Sequence, residues 1–501
     1  MGKERPDPPR FLSGIDSPTI MSQAPKSPIM DRDSPLNSME RMMERTTLTH
    51  VAVLIFLAAW AFGGNADWAK ILIGCWATFG LPILLLNIRT TLSTRQCLPR
   101  VLHTLWPFVG FNLLISISLL FPGFWRGSYE GEILYVNKHV SPLLPSSARP
   151  GLSLFALWVF DGIYLSCFNL FLAIKSRRSF RLLLMALSIN ALVLAIFGTL
   201  QKLVHAEGLF FGLQASPQTK FFASFIYHNH WGAFTVLMLT AGLGVFFHYL
   251  RRHTLRELSQ TPAMLVAASV LLLSLSVPLS GSRSTSVITF MLLVIALINW
   301  ISVTRQRSGR HTKPRHGLAI AAALALVLVV ITSYYLGEPV IRERLKETKQ
   351  QLAHAEESTG LGQRGILYRD TWRMASDRLL FGWGMGSYPN VFVLYNSQDR
   401  GTGDNLPHFY HDAHSDWLQS VAEVGLVGTT LLALCGLMPL WHFRSSLGRS
   451  PISNYLLLGC GLILLYAWLE FPFGNTAVVI AFWICFFTAL PYGRIEAARS
   501  A

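Results

Sequence analysis

The sequence predicts an all-α polytopic membrane protein of about 12 transmembrane helices with one long extracytoplasmic loop. Of its 501 residues, 51% are hydrophobic and only 14% are charged, and the mean hydropathy is +0.41. Soluble domains carry about 25% charged residues. From residue 47 onward the chain is a series of apolar stretches, each of the length that crosses about 30 Å of hydrocarbon. These stretches are too long for barrel strands, so helices are expected.

The apolar stretches and the segments between them divide the chain. The stretches lie near 47–64, 68–88, 101–122, 151–174, 181–201, 230–249, 262–280, 284–304, 317–336, 417–441, 452–471 and 475–491. The predicted organisation is a disordered cytoplasmic tail over 1–46, transmembrane helices 1–9 over 47–336, a long extracytoplasmic loop over 337–416, transmembrane helices 10–12 over 417–491, and a cytoplasmic tail over 492–501. The first tail is rich in Pro, Ser and Met and has no apolar run, which is typical of disorder.

The distribution of charge predicts that both termini are cytoplasmic. With that orientation the cytoplasmic connecting segments and C-terminus hold 19 basic and two acidic residues, whereas the short outer loops hold six basic and four acidic residues. Cytoplasmic loops of membrane proteins carry such an excess of Lys and Arg. The net charge of +15 therefore reflects topology, and no nucleic-acid partner is expected.

The long loop is expected to be folded in part. It carries nine basic and eleven acidic residues together with aromatic residues and glycines such as Trp372, Trp383 and Gly384. Loops of this length are usually functional or disordered, and the aromatic content favours a folded segment. Its first part, Glu338–Glu357, has helical propensity and is predicted to lie on the membrane surface.

The cysteines indicate neither a disulfide nor a metal site. Five lie inside predicted spans, Cys97 is cytoplasmic, and no pair has Cys-x-x-Cys spacing. We expect no metal and no cofactor.

Arg283 is the first candidate functional residue. It is the only charge in Ser280–Ser284, a short outer turn, where it opposes the positive-inside bias. Its planar guanidinium suits phosphate oxygens. The alternative is an arginine that snorkels to lipid headgroups.

Further candidates lie in the long loop. Arg364 is a candidate anion ligand, although an exposed loop arginine is usually solvated. Arg369 and Arg373 follow at helical spacing, and pairing with Asp370 or Asp377 is the structural alternative to a role in binding.

His411 and His414 are three residues apart and would share a helical face if the tenth helix began early. A histidine there is a suitable general base for a hydroxyl nucleophile, and a surface histidine is the alternative.

Three acidic residues lie within predicted spans, where ionisable groups are functional candidates. They are Asp161, Glu423 and Glu470. Because Glu423 and Glu470 lie toward the outer ends, we expect either solvation at the level of the lipid headgroups or pairing with an outer arginine.

Four stretches in order resemble motifs of the O-antigen ligase and O-antigen polymerase superfamily, particularly its exopolysaccharide-type members. They are Phe225–Ala233, Ser280–Ser284, Gly365–Gly386 and His411–Gly428, and the resemblance covers about 180–490. The sequence departs from the family pattern at Tyr227, Leu379 and Ser415. Ser415 stands beside the expected base where the family has Asn, so acceptor positioning is expected to differ.

The resemblance implies a metal-independent glycosyltransferase with a GT-C-like fold in the bacterial inner membrane. Its donor would be a glycan on a polyprenyl diphosphate, usually undecaprenyl, and its acceptor a glycan or lipid A-core. Arg283 and Arg364 would hold the diphosphate, and His414 would activate the acceptor hydroxyl for inverting attack. The further substrate-binding candidates are Arg369, His411, Asn229 and His230.

Three functions remain open at this point. A ligase and a polymerase share the donor chemistry and differ in the acceptor, and the ligase is our first choice. A twelve-span secondary transporter is the alternative from another class. Against it, the two halves show no internal repeat, and the polar residues cluster at the outer face rather than at mid-membrane.

Overall fold

The computed structural model describes Gly2 and residues 38–91, 98–129, 132–138, 140–308, 362–397 and 409–500. In these residues the protein is mostly helical, and ten helices are long and apolar enough to cross a membrane. The expected architecture of many apolar helices is thereby confirmed for the described residues.

Eleven of the twelve predicted apolar stretches coincide with helices. The spanning helices are α1 (Ser38–Trp60), α2 with α3 (Asp67–Thr78 and Gly80–Thr91), α4 (Leu98–Leu120), α5 (Pro150–Ala173), α6 (Arg177–Leu203), α7 (His228–Leu250), α9 (Ala263–Ser280), α10 (Arg283–Ser308), α13 (Asp416–His442) and α15 (Thr476–Ser500). A shorter apolar helix is α14 (Pro451–Tyr466), and the minor helices are α8 (Leu255–Leu258), α11 (Gly362–Asp377) and α12 (Tyr388–Phe392). The ninth predicted stretch and the predicted surface helix Glu338–Glu357 lie outside the described residues.

The predicted disordered tail over 1–46 is wrong for its last nine residues, because α1 begins at Ser38. Met43 and Glu44 are buried. Glu40 lies 2.5 Å from the Lys175 ammonium, and Glu44 accepts a 3.2 Å hydrogen bond from the backbone N–H of Ser176. Contacts with a distant segment thus extend the helix beyond its apolar stretch.

The predicted cytoplasmic tail over 492–501 is likewise helical as far as Ser500, because α15 continues past the apolar stretch. Glu496 forms ion pairs with Arg252 and with Arg177, the latter at 3.4 Å. Arg177 also donates a 3.1 Å hydrogen bond to the carbonyl of Ile495. These contacts hold the end of α15 against the start of α6 and the loop after α7.

Helices α7 and α15 form the centre of the bundle, because nearly all their residues are buried. A helix that is apolar all round is suited to such a position. Helix α7 packs against α9 and α14, and α15 packs against α5 and α14. Stacked rings such as Phe247 and Tyr455, with centroids 5.3 Å apart, fill these interfaces.

A two-stranded hairpin departs from the all-helical expectation. Strand β1 (Phe124–Tyr129) pairs antiparallel with β2 (Glu132–Asn137), so that Phe124 faces Asn137. Six-residue strands leave only a short alternation in the sequence, which is a weak signal beside spans of twenty residues.

The described part of the long loop is folded onto α13, as expected from its aromatic residues. Trp383 lies in a small apolar cluster and donates a 2.8 Å hydrogen bond from Nε1 to the carbonyl of Met374. The carboxylate of Glu423 accepts hydrogen bonds from the backbone N–H groups of Gly386 (2.7 Å) and Tyr388 (3.1 Å). Glu423 therefore holds the loop backbone.

Helix α13 is interrupted at Gly425, whose φ is 68° and ψ is −176°. The loop enters this break, and the N–H groups of Leu426 and Val427 donate to the carbonyls of Leu379 (2.8 Å) and Leu380 (3.1 Å). A Cβ at Gly425 would lie 2.2 Å from the Leu380 oxygen. Only glycine suits this conformation at so close a backbone contact.

Candidate active site at the outer end of the bundle

Glu470 is the centre of a polar cluster at the end of the bundle where α7, α10 and α13 begin, the predicted outer end. The sequence analysis placed Glu470 inside the eleventh predicted span, and this was wrong. Helix α14 ends at Tyr466, and Glu470 lies in the loop that follows. Its carboxylate is buried, with 3% of the side chain exposed. Nη2 of Arg364 lies 2.5 Å from Oε1, and Nδ1 of His414 lies 3.5 Å from Oε2. One carboxylate thus stands between two of the predicted catalytic side chains, and the expected pairing of Glu470 with an arginine is confirmed.

Helix α11 presents Arg364 to this cluster. Arg364 lies in the first turn of the helix and also donates a 3.1 Å hydrogen bond from Nη1 to the carbonyl of Leu469. Tyr368 lies one turn later on the same face, and its hydroxyl donates to the backbone carbonyl of His414 (2.9 Å). One face of α11 therefore contacts two segments: Arg364 binds the Glu470 loop, and Tyr368 binds the His414 backbone.

His414 lies in a bent segment before α13, with a φ of 51°. Such a φ is uncommon for a residue other than glycine and is found at functional sites. Ser415 is the N-cap of α13 and accepts a 3.4 Å hydrogen bond from the N–H of Leu418. The prediction that His411 and His414 share a helical face is wrong, because the helix begins only at Asp416; the exposed His411 ring instead packs on Phe409.

Asp416 joins the start of α13 to the Glu470 loop. Its N–H donates to the carbonyl of Ala467 (2.9 Å), and its Oδ2 accepts from the N–H of Phe473 (2.9 Å). The two segments that carry His414 and Glu470 are therefore held together by backbone contacts on both sides.

Phe471 brings the sixth predicted span into the cluster. Its ring meets His414 and His230 edge-on, with centroids 4.9 Å and 5.0 Å apart, and stacks on Tyr227 at 5.4 Å. The buried His230 also lies 3.2 Å through Nε2 from the Phe471 carbonyl oxygen. The structure thus brings His230 and His414 to the same aromatic ring.

Asn229 links α7 to the short outer turn. Its Nδ2 donates to the Tyr227 hydroxyl (2.8 Å), and its Oδ1 accepts from Oγ of Ser282 (2.6 Å). Arg283, the next residue, is the first residue of α10 and is exposed. Of the three predicted catalytic residues, two meet on Glu470, and the third adjoins a residue of the linked network.

A comparison with protein families gives one match. Residues 268–433, about a third of the chain, match the family model described as O-antigen ligase, which supports membership of the O-antigen ligase superfamily. A search of curated proteins found no match. The matched range of the O-antigen ligase domain includes Arg283, Arg364 and His414, whereas Glu470 lies beyond it.

The charges of this cluster act strongly on one another. Burial would raise the pKa of the Glu470 carboxyl, but His414 and the Arg364 guanidinium hold it below its ordinary value. Burial likewise lowers the pKa of Arg364, and the charge of Glu470 more than offsets this and raises it. An ionised Glu470 with a charged Arg364 is therefore the stable state.

A second carboxyl and a lysine complete the surroundings. Burial raises the pKa of Asp412, and the opposing charges of His414, His411 and Lys70 do not fully offset it. Lys70 lies in the first turn of α2, within the second predicted span, and sequence reasoning missed it. The available signal was a lysine at the outer end of a span, against the positive-inside bias.

Arg369 has a different neighbour from the other candidates in the ligase domain. Its Nε lies 3.7 Å from Oδ1 of Asp370, and Arg373 lies 3.5 Å from the same oxygen. Asp370 is buried and accepts hydrogen bonds from the N–H and hydroxyl of Ser397 at 2.9 Å and 2.6 Å. This is the pairing that the sequence offered as the structural explanation of Arg369.

Sequence reasoning also missed the residues that orient the site. Tyr368, Phe471 and Ser282 were not singled out as functional. Tyr368 had a signal, its position four residues after Arg364 on a helix, and Ser282 lies in the turn that carries Arg283. Phe471 depends on contacts between segments far apart in the chain.

Proposed function

We propose that this membrane protein with an O-antigen ligase domain transfers a glycan from a polyprenyl diphosphate carrier to an acceptor hydroxyl. The reaction takes place at the outer face of the bacterial inner membrane, inverts the anomeric configuration and uses no metal ion. The observation that carries this proposal is the arrangement of Arg364 and His414 on the single buried carboxylate of Glu470. An anion ligand and a base are thereby within reach of one substrate.

The arginines supply the donor chemistry. Negative charge develops on the diphosphate as its bond to the anomeric carbon breaks, and fixed donors at that place stabilise the transition state. Arg364 has about half of its side chain exposed (48%), so its guanidinium is accessible. Arg283 is exposed at the start of α10, and the two guanidinium forks suit phosphate oxygens.

His414 supplies the acceptor chemistry. Its Nδ1 faces Glu470, which leaves Nε2 to accept the proton of the acceptor hydroxyl. The hydroxyl oxygen attacks the anomeric carbon on the side opposite the diphosphate, the bond from that carbon to the diphosphate oxygen breaks, and the proton moves to Nε2. The configuration inverts because bond formation and cleavage occur on opposite faces.

Four further residues are proposed to contact the glycan or support the catalytic side chains. Asn229 and His230 are already linked to the cluster. His411 is exposed near the bend that carries His414, and Arg369 is exposed on α11.

A reconstituted transfer assay tests the proposal. Purified protein in vesicles is given an undecaprenyl-diphosphate glycan and either lipid A-core or a second lipid-linked glycan as acceptor. Transfer is expected in the presence of EDTA and is expected to be lost in Arg283→Ala, Arg364→Ala and His414→Ala. Arg373→Ala is the matched control, because it removes an arginine of the same helix that pairs with Asp370.

The two acceptors distinguish a ligase from a polymerase, and the variants test the mechanism. Transfer to lipid A-core identifies a ligase, and extension of the second lipid-linked glycan identifies a polymerase. Full activity in both Arg283→Ala and His414→Ala would refute the mechanism.

A further inference from the structure

Glu470 holds two of the predicted catalytic side chains in different ways. Its Oε1 makes a close ion pair with Arg364 (2.5 Å), whereas its Oε2 lies 3.5 Å from Nδ1 of His414. Both Oε2 and Nδ1 are buried without a hydrogen-bond partner in the described part of the chain. A hydrogen bond between nitrogen and oxygen normally spans 2.7–3.2 Å, so this pair is a few tenths of an ångström from forming one.

We propose that Glu470 is a positioning residue that couples donor binding to activation of His414, an inference that rests on the proposed function. In the structure Glu470 is the counter-ion of Arg364. When the diphosphate binds the Arg364 guanidinium, the Glu470 carboxylate moves toward His414. It then accepts a hydrogen bond from the Nδ1–H of His414. Nε2 is then the base that faces the acceptor.

The charges explain why the two contacts alternate. Arg364 is the stronger partner, and while it is paired, part of the carboxylate charge is neutralised. A diphosphate offers Arg364 more negative charge than one carboxylate does, and its arrival frees Glu470. The charge of Glu470 then stabilises the imidazolium that forms when Nε2 accepts the acceptor proton, as the carboxylate does in serine-protease triads. Glu470 remains ionised throughout, and the imidazolium afterwards releases its proton to water.

This order has a kinetic consequence. The base reaches its active tautomer only after the donor is bound, so donor binding precedes activation of the acceptor hydroxyl.

The pH dependence of this step involves every ionisable group near Glu470. Besides Arg364 and His414, the groups whose charges interact with Glu470 are His230, Tyr368, Asp416 and Tyr466. They are unchanged in a variant of Glu470, so a shift between variant and wild type reports the carboxylate itself.

The test compares Glu470→Gln with Glu470→Asp in the full-length protein in vesicles, with the undecaprenyl-diphosphate glycan as donor. In Glu470→Gln the amide NH₂ can face His414 and favour the wrong tautomer, so kcat is expected to fall by about 10²–10⁴-fold, as for loss of the carboxylate in a triad. The KM for the donor is expected not to rise. Glu470→Asp keeps the charge and is expected to recover part of kcat.

The pH profile of kcat distinguishes this role from a structural one. The acid limb of the profile is expected to move to lower pH in Glu470→Gln, because this variant loses the negative charge beside the imidazole, and to stay in place in Glu470→Asp.

A binding measurement supplies a readout independent of turnover. Undecaprenyl diphosphate without glycan is titrated into each protein. Glu470→Gln removes the competing ion pair of Arg364 and is expected to bind the probe about 1.5- to 5-fold more tightly, the range of a partly exposed pair. Glu496→Gln is the matched control, because Glu496 is also a carboxylate between two cations, Arg177 and Arg252, at the other end of the bundle. It is expected to keep wild-type transfer, pH profile and affinity.

The outcomes separate this inference from the proposed function. If the wild type transfers glycan but Glu470→Gln keeps its kcat and pH profile, the coupling is refuted and the transferase stands. A Glu470→Asp protein that folds but shows the same displaced limb as Glu470→Gln also refutes it. If the wild type transfers no glycan to either acceptor, the proposed function itself fails.

Discussion

The glycine that interrupts α13 offers the sharpest test of the fold. In Gly425→Ala a methyl group is added where φ is 68° and ψ is −176°, a region that residues other than glycine essentially avoid. The new Cβ would lie 2.2 Å from the oxygen of Leu380 and 2.4 Å from the nitrogen of Phe381. Both atoms belong to backbone, so no side chain can rotate away to make room.

The expected cost follows from these two effects. The strained conformation costs about 1–3 kcal/mol, and overpacking a well-packed site costs about 1–3 kcal/mol more. Together they predict a loss of about 2–6 kcal/mol in the free energy of unfolding. If the loop moved away to remove the clash with the new Cβ, the hydrogen bonds from Leu426 and Val427 would break. The loop segment that Glu423 holds would also be displaced.

Thermal unfolding of the detergent-purified protein, followed by tryptophan fluorescence, measures this effect. Gly425→Ala is expected to lower Tm by at least about 5 °C, given that 1 kcal/mol corresponds to a few degrees in domains of moderate size. Gly436→Ala in the same helix is the control, because its new Cβ would meet only Phe486, at 4.0 Å, and alanine favours helix. Equal Tm values for the two variants would refute the argument that the break requires glycine.

Four further predictions concern single contacts. Ser415→Ala removes the N-cap of α13 and is expected to cost about 1 kcal/mol, whereas Ser415→Asn caps equally well and is expected to match the wild-type Tm. Arg364→Lys keeps the charge but loses the fork that joins the Leu469 carbonyl to Glu470, so titration with undecaprenyl diphosphate is expected to show affinity between those of wild type and Arg364→Ala. Because the pKa of Glu470 is lowered, its ionised form stabilises the fold above its ordinary pKa of 4.5, and this contribution is lost as pH falls through the lowered value. The Tm values of wild type and Glu470→Gln are therefore expected to converge below pH 4.5. Trp383→Phe leaves the Met374 carbonyl without its donor, and an unsatisfied buried group costs about 1–3 kcal/mol, measurable as a lower Tm.

Much of the membrane architecture could be predicted from the sequence. Apolar stretches of spanning length are local, and each of the eleven that fall on described residues became a helix. The errors lie at the ends, as at Ser38, where burial of Met43 and an ion pair with Lys175 extend the helix into polar sequence. Such contacts join residues more than a hundred positions apart and leave no local pattern.

The candidate site was predicted in part, from residue types that are unusual where they stand. Arg364 and His414 were identified, and the structure adds that they share a carboxylate. Glu470 was noted only as an acid near an outer end, and the loop that carries it could not be predicted because its apolar residues continue the span without a break. The shared helical face of His411 and His414 was wrong, since Ser415 caps a helix that begins after both histidines.

The sequence by itself determined that the chain lies in a membrane, where its helices fall and which residue types could bind a diphosphate and accept a proton. These properties depend on hydropathy and side-chain chemistry, which each segment carries independently of the rest. The tertiary structure alone decided that Glu470 stands between Arg364 and His414, and that the long loop enters α13 at Gly425. Both arrangements depend on distances between segments that only the packed bundle brings together.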